Sequence, residues 1–313
     1  MSRFLNCIKA AQPSAFKTIW WLTKIMVLLS FAIMLLQYFG IIEWISLWLT
    51  PLFSHFGLPG EAALAYVSGY FVNCYSAIAV MTTLDLSTRA ATILSVMVLC
   101  SHNMILETTV QHKTGSPIIK IVIIRTLSAF ILGWVLNKIM PGSFESSSVA
   151  NSIQEEVTFL IMLKDWALRT IKNVMLMAVI VYLLTALQKI LTEYGIIEYI
   201  SRFLKPVMTF FGLPQKTAFL WLVSNTLGLA YGAGIMIEEA EKDETTKEEN
   251  DLLNCHIGIS HSNLEDLLLF TAAGGAYLWM LLSRWVMSWI WVWGVRVTKS
   301  LRLQVTKTLS HRV

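Results

Sequence analysis

Apolar residues in this chain come in long runs broken by short polar or glycine and proline stretches. Ile19 to Tyr38 is apolar apart from Lys24, and about 20 residues rising ~1.5 Å each cross a hydrocarbon core of ~30 Å. Runs of similar length cover Ala62 to Met81, Ile118 to Leu136, Val174 to Leu191, Ala218 to Met236 and Tyr277 to Val295. Each is read as a spanning helix. Two further apolar stretches, Ser87 to Leu99 with Met104 to His112 and Leu252 to Ala273, are interrupted by Ser101-His102-Asn103 and Ser260-His261-Ser262-Asn263. Arms of about 12 residues fall short of the ~20 a crossing needs, so each is read as a re-entrant helical hairpin with a polar tip near mid-membrane. Ile41 to Phe56 and Ile196 to Phe210 are shorter and carry proline, and Trp44, Trp48 and Phe53 suit a headgroup belt.

The pattern occurs twice. Gly40-Ile41-Ile42-Glu43, Pro51 and Phe56-Gly57-Leu58-Pro59 return as Gly195-Ile196-Ile197-Glu198, Pro206 and Phe211-Gly212-Leu213-Pro214, at a constant offset of 155. Lys17 matches Lys172 and Met81 matches Met236. After an acidic insertion the register resumes at 159, so that His102 matches His261, Glu107 matches Asp266 and Arg125 matches Arg284. The expected fold is therefore an all-α integral membrane protein of two repeats, residues 1–140 and 157–297. A serine-rich linker at 141–156 joins them, and a basic cytoplasmic tail at 298–313 follows. Three crossings per repeat is an odd number, which inverts the second repeat relative to the first. Arg89, Lys113, Arg202, Lys205 and the basic tail then lie on one side, so the positive-inside rule puts both termini in the cytoplasm of a bacterial inner membrane. Lys164, Arg169 and Lys172 depart from that rule, and residues 1–16 read as leading into an uncleaved first span.

Composition agrees with this class. Hydrophobic residues make up 56%, charged residues 14%, and the mean hydropathy is +0.62, against about 25% charged in a soluble domain. The net charge of +4 is spread over chain ends and turns, which excludes a nucleic-acid stripe. Cys7, Cys74, Cys100 and Cys255 have no paired spacing, so they imply no disulfide framework. No P-loop, dinucleotide fingerprint or nucleophile elbow is present, and the chain is not read as an enzyme. The acidic run Glu238 to Asp251 reads as a solvated loop.

Candidate chemistry follows from charge and polarity inside apolar segments. A mid-span arginine costs at least ~2.5 to 3.5 kcal/mol and faces the bundle interior with a partner. Arg125 and Arg284 occupy one repeat position, with Glu107 and with Glu265 or Asp266 as partners; they either pin each hairpin or bind solute. Half-helix ends at mid-membrane expose unpaired backbone groups that hold polar solutes. The expected solute-binding set is Asn73, Ser101, His102, Asn103, Glu107, Arg125, Ser224, Asn225, Ser260, His261, Asn263, Asp266 and Arg284. Capping is the plainer role for the serines and asparagines. Cys74, Cys100, His102 and His261 supply soft or borderline ligands for a metal, without a recognised ligand spacing.

Gly69-Tyr70-Phe71-Val72-Asn73-Cys74-Tyr75-Ser76-Ala77-Ile78-Ala79-Val80-Met81-Thr82-Thr83-Leu84, followed by Cys100-Ser101-His102-Asn103, resembles the gate-domain (nucleoside recognition) signature. That signature is shared by concentrative nucleoside transporters and ferrous-iron permease B. Asn73 and Cys74 stand in swapped order relative to the iron permease, and Tyr75-Ser76 stand near the place of its proline. Ser224-Asn225-Thr226, Gly228 and Ser260-His261 resemble the signature more loosely. The resemblance implies paired gate domains whose hairpins meet at the membrane centre and pass a small polar solute. Nucleosides or related organic solutes lead; a divalent-metal (iron) permease and a non-transporting assembly component like the spore-maturation membrane proteins are the alternatives. No cofactor is implied, and a coupling cation is left open. The partners expected are the lipid bilayer and the solute, with a homo-oligomer allowed and nucleic acid not.

Overall fold

The computed structural model describes residues 2–142, 159–241 and 245–310. Among them all regular structure is helical: α1 (Ser2–Tyr38), α2 (Ile41–Phe53), α3 (Ala62–Phe71), α4 (Cys74–Met81), α5 (Thr88–Ser101), α6 (Met104–Lys113) and α7 (Ile118–Ile139) come first. They are followed by α8 (Phe159–Glu193), α9 (Ile196–Phe203), α10 (Lys205–Phe210), α11 (Ala218–Glu241), α12 (Lys247–Ser260), α13 (Glu265–Ala272) and α14 (Tyr277–Ser310). Among the described residues three stretches are long and apolar enough to cross a membrane: Arg3–Tyr38, Ile118–Ile139 and Phe159–Leu191. Thr88–Ser101 and Met104–Lys113 meet at 40° and add a fourth if they form one broken crossing. Leu28, Ile119 and Met175 on these stretches are exposed, as side chains that face lipid tails should be. The molecule is an all-α membrane protein.

The motif that returns at offset 155 owes its glycines to backbone geometry. Gly40 and Gly195 precede α2 and α9 with φ of 68° and 61°, and Gly57 and Gly212 follow with φ of 66° and 72°. A left-handed residue costs an L side chain roughly 1–2 kcal/mol, so both copies of the turn keep the residue without a Cβ. Each turn closes the same way, by Leu58 N to Phe53 O at 3.1 Å and Leu213 N to Met208 O at 2.7 Å.

Several expected segments differ from the reading above. Residues 2–16 belong to α1, with Pro13 inside the helix. The expected span from Ala62 to Met81 is divided: Asn73 is extended (φ −172°, ψ 174°) and its side chain accepts from Ser76 N at 2.9 Å, an N-cap that starts α4 afresh. Gly228 (φ 79°, ψ 166°) interrupts α11 at the matching position. Asp251 is not in a solvated loop. It is buried in α12, where Lys120 Nζ reaches it at 2.6 Å and Ser116 Oγ at 2.9 Å. The basic tail continues α14 as far as Ser310, while the linker at 141–156 lies, beyond residue 142, outside the described residues.

Among the contacts that join the halves, two lie away from the polar breaks. α1 and α8 run antiparallel: Arg3 meets Glu193 at 3.0 Å, Trp166 Nε1 donates to Ser30 Oγ at 3.1 Å, and the Tyr38 and Phe159 rings are 5.1 Å apart. Where α6 meets α12, Gln111 Nε2 donates to Asn254 O at 3.0 Å. The Asn254 amide in turn donates to Gln111 O, Thr114 Oγ1 and Ser116 Oγ at 3.1, 2.9 and 3.0 Å. An unmade buried hydrogen bond costs about 1–3 kcal/mol. Asn254→Leu is therefore expected to lower stability by about 2–3 kcal/mol, read as earlier thermal unfolding in detergent. Unchanged melting would show that the network contributes nothing.

α12 begins outside the apolar segments with a reciprocal cap. Glu249 N donates to Thr246 Oγ1 at 3.3 Å and Thr246 N to Glu249 Oε2 at 2.8 Å, and Lys216 Nζ lies 2.6 Å from the same carboxylate. Slight burial works against ionisation of Glu249, but Lys216 and Thr246 outweigh it and hold the carboxyl below its ordinary range. What this cap contributes is therefore present at neutral pH and is lost as pH falls through that lowered value.

Candidate functional site

The two polar interruptions are built alike. At the end of α5, His102 is extended (φ −65°, ψ 161°) and Asn103 is left-handed (φ 48°); at the end of α12, His261 (φ −64°, ψ 170°) and Ser262 (φ 55°) repeat the turn. Asn103 and Ser262 are the only non-glycine residues at positive φ among the described residues. Each turn is tied to the neighbouring broken helix, Asn103 N to Gly69 O at 2.9 Å and Ser262 N to Ser224 O at 3.0 Å. These matched breaks aim both histidines at one another, and their ring centroids are 5.0 Å apart.

The arginines lie beneath the breaks. Arg125 Nε donates to Cys100 O at 3.1 Å and Nη2 to His102 O at 2.7 Å; Arg284 Nε donates to Ile259 O at 2.7 Å and Nη2 to His261 O at 2.5 Å. A helix C-terminus leaves carbonyls without partners and carries partial negative charge. Both guanidinium groups, fully buried, satisfy that end. Here the repeat symmetry fails. Arg125 Nη2 also meets Glu107 Oε2 at 2.7 Å, whereas among the described residues no carboxylate stands within 4 Å of Arg284.

Glu107 bridges the two tips. His102 Nε2 is 3.2 Å from its Oε1, and His261 Nε2 is 3.3 Å from its Oε2. The ligating atoms of His102, Glu107 and His261 all lie within 4.8 Å of one another, and all three residues are buried. Asp266 approaches from the side, with Oδ2 3.4 Å from His102 Nε2 and Oδ1 accepting from Cys74 Sγ at 3.2 Å. Next to it the Tyr75 hydroxyl donates to Glu265 Oε1. Two imidazoles and a carboxylate form a borderline ligand set suited to a divalent transition metal. The carboxylates of Glu107 and Asp266 face the imidazole nitrogens at 3.2 to 3.4 Å, and carboxylate oxygens beside imidazole favour a cation over an anion.

Of the residues singled out in the sequence, the structure gathers His102, His261, Glu107, Asp266 and Arg125. Others turn to local partners. Asn73 caps α4; Ser101 Oγ lies 3.1 Å from Tyr66 OH and 2.9 Å from Met97 O; Ser224 Oγ donates back to Leu220 O at 2.8 Å. Ser260 Oγ sits 2.8 Å from His256 Nδ1, and Asn263 Nδ2 donates to Asn225 Oδ1 at 2.6 Å, leaving Asn263 Oδ1 unpaired. Asn103 contributes its left-handed backbone. Of the soft ligands, Cys74 reaches the cluster only through Asp266, and Cys100 offers its carbonyl to Arg125. Glu107 therefore takes the place that the cysteines held among the metal candidates. The Tyr75 to Glu265 bond was not foreseen; only the adjacency of two acids after the second break hinted at it.

Residues 19–114 match the Gate family, described as nucleoside recognition. The chain is 33% identical over 268 residues, 85% of its own length and 86% of the other's, to the uncharacterized membrane protein YvoD of Bacillus subtilis (strain 168). No solved structure matches.

Proposed function

Since this chain belongs to the Gate (nucleoside recognition) family of membrane proteins, a transport domain and not a catalytic one, we propose that it carries a divalent transition-metal cation across a bacterial inner membrane. The observation that carries this reading is the buried trio His102, Glu107 and His261, drawn from both halves, with all ligand atoms within 4.8 Å. A cation there would replace the protons shared between imidazole and carboxylate, and Arg125 would hold Glu107 in place. A nucleoside has less support. Ser101, Ser224, Ser260 and Asn225 commit their polar atoms to neighbouring groups.

The architecture that suits this task is a pair of inverted repeats with broken helices meeting at the membrane centre. Supporting it are the antiparallel packing of α1 on α8, the constant offsets of the sequence, and the matched breaks at His102 and His261. Both termini are placed in the cytoplasm on the charge of the loops.

Purified protein in liposomes loaded with a metal-sensitive dye tests the cargo. Saturable uptake of Co²⁺, Zn²⁺ or Fe²⁺ is the expected result, with no accumulation of labelled uridine. Uridine uptake without metal uptake would return the nucleoside reading to first place.

A further inference from the structure

The two halves use equivalent residues in unequal ways. By the offsets of 155 and 159, Arg284 is the counterpart of Arg125, Asp266 of Glu107, His261 of His102 and Leu229 of Cys74. Glu107 sits on Arg125 and spans both histidines. Asp266 does not sit on Arg284. It is drawn aside to Cys74 Sγ and to His102 alone. Arg284 is thereby left fully buried on two backbone carbonyls, with no carboxylate within 4 Å among the described residues, where Arg125 has Glu107. Nη1 is unpaired in both arginines, and only Arg284 keeps its charge in low dielectric without a counter-ion.

The bonds that hold Asp266 aside are one-sided. Cys74 corresponds to Leu229, which has no hydrogen-bonding atom to hold Glu107 away from Arg125. Glu265, tied to Tyr75, corresponds to Leu106. The chain thus encodes both a second carboxylate position and a bias against it.

We propose a second divalent-cation site made of His102, His261 and Asp266, formed when Asp266 leaves Cys74 and settles on Arg284 as Glu107 settles on Arg125. The proposal rests on the cation reading above and names how that site is used. The histidines serve both positions, and the cation passes from Glu107 to Asp266 without leaving them. Equivalent carboxylates in opposed halves give each side of the membrane its own closing ligand, which a carrier exposing one site alternately to two sides requires.

Co²⁺ is the probe, with binding followed by titration of purified protein and transport followed in liposomes. Glu107→Gln leaves only the less populated arrangement and is expected to weaken Co²⁺ binding about tenfold. Asp266→Asn keeps the ligands of the populated site, so it should lose clearly less Co²⁺ affinity than Glu107→Gln does, yet transport at least about tenfold more slowly. The double variant should bind no Co²⁺. Cys74→Leu, which imitates Leu229, frees Asp266 and should reduce the binding penalty of Glu107→Gln to about threefold or less. All four are compared as monodisperse protein by size exclusion. If Glu107→Gln binds as poorly as the double variant, or Asp266→Asn transports at the original rate, there is one site and the proposal falls. Absence of Co²⁺ binding in the unaltered protein would instead overturn the cation reading beneath it.

Discussion

Simultaneous replacement of His102 and His261 by alanine is expected to weaken Co²⁺ binding by about a thousandfold, equivalent to about 4 kcal/mol, and to abolish its uptake. Each imidazole supplies one of the three ligand atoms gathered at the tips, and the carboxylates that remain, Glu107 held by Arg125 at 2.7 Å and Asp266 held by Cys74 at 3.2 Å, offer a cation little by themselves. The fold should survive, since Arg125 and Arg284 grip the backbone carbonyls of residues 102 and 261, not their side chains. Monodisperse protein without affinity is thus the informative outcome. Binding within tenfold of the unaltered chain would place the cation elsewhere.

Arg125→Leu should act on the fold itself. The substitution strips the carbonyls of Cys100 and His102 and leaves Glu107 buried without its partner. Breaking a buried pair from one side costs about 3–5 kcal/mol, a large share of a total stability of about 5–15 kcal/mol. Folded yield in detergent should collapse. Pairing Arg125→Leu with Glu107→Leu removes both charges and should restore much of the loss, because no lone ion remains. Arg284→Leu abandons two carbonyls and no carboxylate, so about 1–3 kcal/mol is expected. Equal damage from the two arginines, or no rescue in the double variant, would contradict the asymmetry seen between them. The experiment also separates roles: well-folded Arg125→Leu protein that fails to transport would make this arginine a solute ligand instead of a support for the break.

Legibility in the sequence followed the range of the forces involved. Gly40, Gly57, Gly195 and Gly212 could be paired by eye because a left-handed turn is a local demand that only a few residue types meet. The breaks at His102 and His261 were visible for a similar reason, as polar residues stranded between arms too short to cross. Glu107 was legible as a partner for Arg125, since a charge inside a span must find one. Asp251 was misread because acidic residues cluster around it in the chain, and only Lys120 and Ser116, brought from beyond α6, explain its burial. The first span is read from Ile19, where its apolar run begins, yet α1 reaches back through Pro13 to Ser2, because hydrophobic length marks a crossing and not the end of the helix that makes it.

By itself, then, the chain determined its solvent, its duplication, its helical character and the two polar breaks at His102 and His261, though not those at Asn73 and Gly228. Each depends on hydrophobic length or on the preference of a residue for its own backbone. Tertiary structure alone decided that two histidines 159 positions apart lie with rings 5.0 Å apart, that Glu107 joins them, and that Asp266 turns to Cys74 and leaves Arg284 alone. Those choices depend on how two packed halves share space around a buried charge, and Coulomb energy in low dielectric follows distance in space, not separation along the chain.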